Sequence, residues 1–172
     1  MFADDLLEQA DHLLGELRAR GLKLATAESC TGGLLTGLLT EIAGASDVLE
    51  HGWVTYSNDA KIKDLGVRGE LIADHGAVSA EVARAMAEGA LVKSRADMAV
   101  AVTGIAGPGG GSQEKPVGLV HLAVSLRGAA TLSRECRFGE IGRHQVRIEA
   151  LRAALVLLDA ALEAHPSRLK PE

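Results

Sequence analysis

Ser29, Cys30, Tyr56 and Lys61 are the side chains whose type and setting suit nucleophilic chemistry in this 172-residue chain. Ser29 falls within Glu28-Ser29-Cys30-Thr31-Gly32-Gly33, where a predicted strand turns into a helix. A hydroxyl there stands at a helix amino terminus, and the N–H groups of Thr31, Gly32 and Gly33 are expected to lack partners within the helix. Donors of that kind stabilise the oxyanion of acyl transfer, and losing one typically raises the barrier by about 3 kcal/mol. The two glycines let a substrate come close to the backbone. The plainer alternative is that Ser29 or Thr31 only caps the helix.

An activated serine needs a base. Lys61 lies in the first turn of a predicted short helix, whose positive end disfavours the ammonium form. Burial in a closed cleft would act in the same direction and hold the amine well below its ordinary range. Tyr56, at the end of the preceding strand, could hold the lysine or relay a proton. The competing reading is a solvated lysine beside Asp59, Lys63 and Asp64. Cys30 is a second possible nucleophile, because a thiolate at a helix amino terminus is reactive, but adjacent residues leaving a strand cannot both face one way. A small buried cysteine is the alternative for Cys30 and Cys136. Gly-x-Ser-x-Gly is absent, since Ala27 and Thr31 occupy the glycine positions, which argues against an ordinary α/β-hydrolase. The six histidines occur singly, and no metal-ligand spacing is present.

Two further features suit ligand binding. Gly104 to Lys115 has five glycines in its first eight positions, yet it lacks the Gly-Lys-Ser/Thr of a phosphate loop and the dinucleotide fingerprint. Such a loop is tight or mobile as readily as it is a site. Arg143 and Arg147 open the last predicted helix and could grip a phosphate through forked donors, or simply face solvent.

These residues must be positioned by elements whose periods are readable. Leu6, Ala10, Leu13, Leu14 and Leu17 form a helical stripe ending at Gly21. A strand over Leu22 to Ala27 leads into a helix through Leu34, Leu38 and Ile42, closed by Gly44. Gly52 to Tyr56 reads as a second strand. Ser57-Asn58-Asp59 caps the short helix through Lys61 to Gly66, Glu70 to His75 is helical, and Ser79 caps a longer helix to Leu91. The apolar run Asp97 to Thr103 reads as a strand buried on both faces. Gly118 to Leu126 and Ala130 to Phe138 form a hairpin around Arg127-Gly128, and Ile148 to Leu162 supply a last helical face. The expected architecture is α/β, a three-layer α/β/α sandwich with a mixed sheet. It is read as one domain over 1–165 with a tail over 166–172. Three polar clusters, beginning at Glu28, Tyr56 and Thr103, follow strands and would converge on one cleft if those strands are parallel.

Composition narrows the partners. A net charge of -5 and only 2% aromatic residues argue against nucleic acid, whose single strands are read by stacking. Two cysteines and an acidic start, Met1-Phe2-Ala3-Asp4-Asp5, suit a reducing, cytoplasmic setting without a secretory signal. No apolar run approaches the roughly 20 residues of a membrane span.

Four stretches together carry a family resemblance: TAESCTGG (Thr26 to Gly33), GWVTYSNDAK (Gly52 to Lys61), HGAVS (His75 to Ser79) and TGIAGPGGGSQEKPVG (Thr103 to Gly118). In them the chain resembles the carboxyl-terminal domain of the competence/damage-inducible CinA family, whose stand-alone members are nicotinamide-nucleotide amidohydrolases. The resemblance implies that Ser29 attacks the carboxamide of nicotinamide mononucleotide, that Lys61 serves as base and then proton donor, and that Tyr56 supports them. It implies substrate contacts at Glu28, Thr31, Gly32, Gly33, Asn58, Thr103, Gly104 and Arg143, a pyridine nucleotide as small-molecule substrate, no cofactor or metal, and a homo-oligomer. A non-catalytic nucleotide-binding competence or stress module, and hydrolysis of another small amide, are the competing readings.

Overall fold

The stripe of leucines near the amino terminus forms the buried face of α1 (Asp4–Ala19). The computed structural model describes residues 2–165, so the expected tail lies outside the described residues. There follow β1 (Leu24–Glu28), α2 (Leu34–Thr40), a single 3-10 turn (Ala45–Asp47), β2 (Leu49–Val54) and α3 (Asn58–Leu65). Then come α4 (Gly69–His75), α5 (Ala80–Lys93), β3 (Met98–Gly104), β4 (Leu119–Leu126), β5 (Leu132–Arg137) and α6 (Arg143–Glu163). The strands make one mixed sheet in the order β2-β1-β3-β4-β5. β2, β1 and β3 are parallel, and β4 and β5 return antiparallel. Helices cover both faces, giving the expected three layers.

The two faces of the sheet differ in bulk. Leu24, Met98, Val100, Val102, Val120 and Leu122 point toward α1, α2 and α6. Alternate positions on the same strands are Ala25, Ala27, Ala99, Ala101 and Ala123, packed against Val82, Ala83, Met86 and Ala87 of α5. An alanine surface lets α5 and its neighbour α3 lie close to the sheet. At Gly89 the approach is closest, for a Cβ added there would stand 2.0 Å from the carbonyl oxygen of Leu65, the last residue of α3.

One strand is displaced from the sequence reading. β2 begins at Leu49 and stops at Val54, whereas Gly52 to Tyr56 was the expected strand. Thr55 adds one ladder bond, its N–H donating to the Glu28 carbonyl at 2.8 Å. The chain then turns away because Ser57 caps α3, its Oγ accepting from the Ala60 N–H at 3.1 Å. The helix through Leu34 and Leu38 starts at Leu34 as the sequence reading has it, and the polar residues at positions 30–33 form the turn before it. Gly32 and Gly33 have φ of 59° and 92°, which interrupts a right-handed helix at that point.

β1 hands the chain to α2 on one face, and β2 hands it to α3 on the other. Divergent exits from adjacent parallel strands open a crevice at their carboxyl ends. Ser29, Thr55 and Gly104 all stand at that edge.

Gly89→Ala tests the close packing that sets the height of α3. Helix propensity alone favours alanine by about 1 kcal/mol, but forcing apart α3 and α5 should reverse the sign and destabilise the protein by about 1–3 kcal/mol in urea unfolding. A more stable variant would refute the packing.

Candidate active site

Lys61 is only 1% exposed. Its Nζ lies 3.0 Å from Ser29 Oγ, 2.7 Å from the Thr55 carbonyl oxygen and 3.5 Å from that of Tyr56. No carboxylate pairs with it among the described residues. Burial therefore holds the amine below its ordinary pKa, with no counter-ion to restore it. Nζ donates to Ser29 Oγ and to the two carbonyls, and a neutral amine in the same place could instead accept the Ser29 hydroxyl hydrogen on its lone pair.

The turn that carries Ser29 is held from beneath by Glu28. This carboxylate is fully buried and accepts from the N–H groups of Gly33 (3.0 Å), Leu35 (3.0 Å) and Thr36 (2.8 Å), and from the Thr36 hydroxyl (2.7 Å). The Thr26 hydroxyl completes the cluster at 2.6 Å from Thr36 Oγ1. Glu28 thus caps α2 rather than facing the cleft, which corrects the expected substrate contact. The anticipated trio of free donors is also corrected. Gly32 N–H donates to the Ser29 carbonyl at 3.0 Å and Gly33 N–H to Glu28, so of the three only the Thr31 N–H has no acceptor among the described residues. Ser29 continues the sheet, its N–H donating to the Val102 carbonyl at 2.9 Å.

Tyr56 faces Lys61 with its carbonyl. Its phenol oxygen instead accepts from Arg143 Nη2 at 3.1 Å, and Arg143 Nη1 donates to the Gly107 carbonyl at 2.9 Å. Arg143 therefore joins the strand-end tyrosine to the glycine loop. Thr103, beside Ser29 on the neighbouring strand, is buried and donates to the Ala77 carbonyl at 2.8 Å, tying down the segment before α5. Gly104 follows it against β4, where a Cβ would meet Val120 at 2.7 Å. Asn58 is exposed at the first position of α3. Ser29, Lys61, Tyr56, Thr31, Thr103, Gly104 and Arg143 are thus gathered at one edge, with Asn58 at its rim.

Cys30 turns the opposite way, into the core beneath α1, α2 and α6. Burial pushes its thiol up to about 12. Among the described residues no group of three or more histidine, cysteine, aspartate or glutamate side chains stands where it could hold a metal ion.

The family model for the CinA C-terminal domain matches residues 7–162. The chain belongs to this family. A nicotinamide-nucleotide amidohydrolase, PncC, of Escherichia coli K12 is 48% identical over 159 residues, 92% of this chain and 95% of that protein. A putative competence-damage inducible protein of Moorella thermoacetica is 50% identical over 161 residues, but the chain spans only 38% of its length. The crystal structure of the competence/damage inducible protein CihA from Agrobacterium tumefaciens superposes with a TM-score of 0.91 at 54% identity, covering 93% of this chain and 97% of that one.

Within this CinA domain, sequence reasoning overlooked Thr36, whose signal was a threonine between Leu35 and Gly37 in the first turn of α2, and the Thr55 carbonyl, which no side-chain pattern reveals. The thiol environment yields a direct check. Native protein at pH 8 should leave Cys30 unlabelled by a thiol reagent, and denaturant should release it. Rapid labelling of Cys30 in the folded state would contradict its burial.

Proposed function

We propose that this protein hydrolyses the carboxamide of nicotinamide mononucleotide to nicotinic acid mononucleotide and ammonia, with Ser29 as nucleophile and Lys61 as general base. The observation that carries the proposal is the 3.0 Å approach of a buried, unpaired amine to the serine hydroxyl. The E. coli relative, matched along nearly its whole length, supports the choice of substrate.

In the first step Lys61 takes the Ser29 proton as Oγ bonds to the carboxamide carbon. The oxyanion forms against the turn, where the Thr31 N–H is the available donor. Lys61, now ammonium, returns that proton to the departing nitrogen, and ammonia leaves an acyl ester on Ser29. A water molecule, deprotonated by the same amine, attacks the ester and releases the carboxylate and free serine. Thr55 and Tyr56 hold Lys61 in place throughout. Arg143, already oriented by Tyr56 and Gly107, is assigned to the substrate phosphate. Thr103 and Gly104 form the wall toward the glycine loop, and Asn58 the rim. The reading carries with it the cytoplasmic setting and the self-association expected for the family. Among the described residues no helix is long and apolar enough to cross a membrane.

Purified protein incubated with nicotinamide mononucleotide and a chelator should release ammonia. Ser29→Ala should lower kcat by at least about 10³-fold, with Cys30→Ala retaining turnover. Since only the neutral amine accepts the proton, kcat/KM should rise with pH through the lowered pKa of Lys61 and level above it. Lys61→Arg, permanently charged, should lose both the rate and that limb. An intact nucleotide that merely raises the melting temperature would mean a binding module, and turnover confined to other amides would reassign the substrate.

A further inference from the structure

Arg147 lies one turn into α6 and is half-buried, and the sequence offered it, with Arg143, as a phosphate ligand. Its guanidinium is directed elsewhere. Nη2 donates to the Thr31 carbonyl at 2.9 Å, and the face of Gly32 lies 3.5 Å from the same nitrogen, measured to where its Cβ would be. Nε is shut away from solvent without a partner, and no carboxylate forms an ion pair with this side chain among the described residues.

The Thr31 carbonyl is one end of a peptide unit whose other end is the Gly32 N–H, and that N–H donates to the carbonyl of Ser29. A charge-assisted bond at one end of a peptide polarises the bond at the other. This unit is also the weakest point of the turn. Gly32 has φ of 59°, and glycine populates positive and negative φ about equally, so the Thr31–Gly32 peptide can flip at little steric cost. A flip would detach the Ser29 carbonyl. It would also turn the Thr31 carbonyl away from α6, breaking the bonds it accepts from Arg147 at 2.9 Å and from the Leu34 N–H at 3.2 Å.

We infer that Arg147 is a positioning residue for the reaction proposed above. Through the Thr31 carbonyl it locks the Thr31–Gly32 peptide, and so fixes the direction of the Ser29 hydroxyl and of the Thr31 N–H. It does not bind the substrate phosphate. Arg143 and Arg147, four residues apart on one helix, thereby divide the work, one toward the glycine loop and one toward the nucleophile turn.

The test compares wild type, Arg147→Lys and Arg147→Met on nicotinamide mononucleotide and on its dephosphorylated form, nicotinamide riboside. Labelling of Ser29 by a fluorophosphonate probe is followed separately by mass spectrometry. A misplaced reacting group costs on the order of 10²-fold in rate. Arg147→Met should therefore lower kcat about 10²-fold on both substrates, leave KM within about threefold, and slow probe labelling by a similar factor. Arg147→Lys, which restores a donor without the fork, should recover about tenfold of that loss. If the Met variant does not fold, the Lys variant decides, with about a tenfold loss of kcat at constant KM expected. A raised KM for the phosphorylated substrate alone would make Arg147 a phosphate ligand and overturn the inference, as would unchanged kinetics and labelling. If wild type leaves both compounds intact, the proposed substrate falls, and the labelling rates at Ser29 still judge Arg147. Wild type that also resists the probe overturns both.

Discussion

A lysine amine enclosed without a counter-charge is the constraint around which this site is arranged. Taking an ammonium out of water is costly unless an anion replaces the lost solvation. Here Lys61 meets two carbonyls and a hydroxyl, all uncharged. That environment solvates a neutral amine well and an ammonium poorly, and the hydroxyl is the one neighbour able to give it a proton. In the proposed reaction, basicity at Lys61 and nucleophilicity at Ser29 are thus two descriptions of one desolvated contact.

The rest of the fold holds that contact at the right length. Ser29 and Lys61 are separated by 32 positions and belong to opposite exits from neighbouring parallel strands. The alanine face of the sheet and the glycine contact at Gly89 bring α3 down toward the strand ends, while Glu28 and Arg147 secure the serine turn from two sides. The buried glutamate is tolerated because both of its oxygens are occupied by four donors from α2 and its entrance. Glu28 and Lys61 are therefore treated in opposite ways: both carboxyl oxygens of Glu28 are hydrogen-bonded, and burial disfavours the charged form of the Lys61 amine.

Most of the architecture was legible because it rests on local periodicity. The leucine stripe of α1, the uninterrupted apolar run of β3 and the caps at Ser57 and Ser79 each report their element without reference to distant residues. The juxtaposition of Ser29 and Lys61 was legible for a different reason, since a strand end followed by serine and a helix start carrying lysine lie where an open α/β sheet places its ligands. What escaped was direction. Nothing in the order of residues says that Glu28 folds inward to cap a helix beginning six positions later, or that the Tyr56 phenol reaches Arg143 at a separation of 87 positions. The donors of Gly32 and Gly33 read as free because nothing local shows that the turn before α2 aims them at the Ser29 carbonyl and the Glu28 carboxylate. Those contacts are decided by tertiary packing, and the local pattern is compatible with either outcome.

The opposed orientations of Ser29 and Cys30 and the distance in sequence to Lys61 have a consequence for the life of the molecule. On a nascent chain leaving the ribosome, the lysine is an ordinary hydrated cation and the serine an ordinary alcohol. Neither can attack the amides of glutamine, asparagine or the polypeptide itself. The proposed chemistry therefore needs the two to meet in the folded chain, where the turn carrying Ser29 is tied to the last helix through Arg147, and a half-made molecule would lack it.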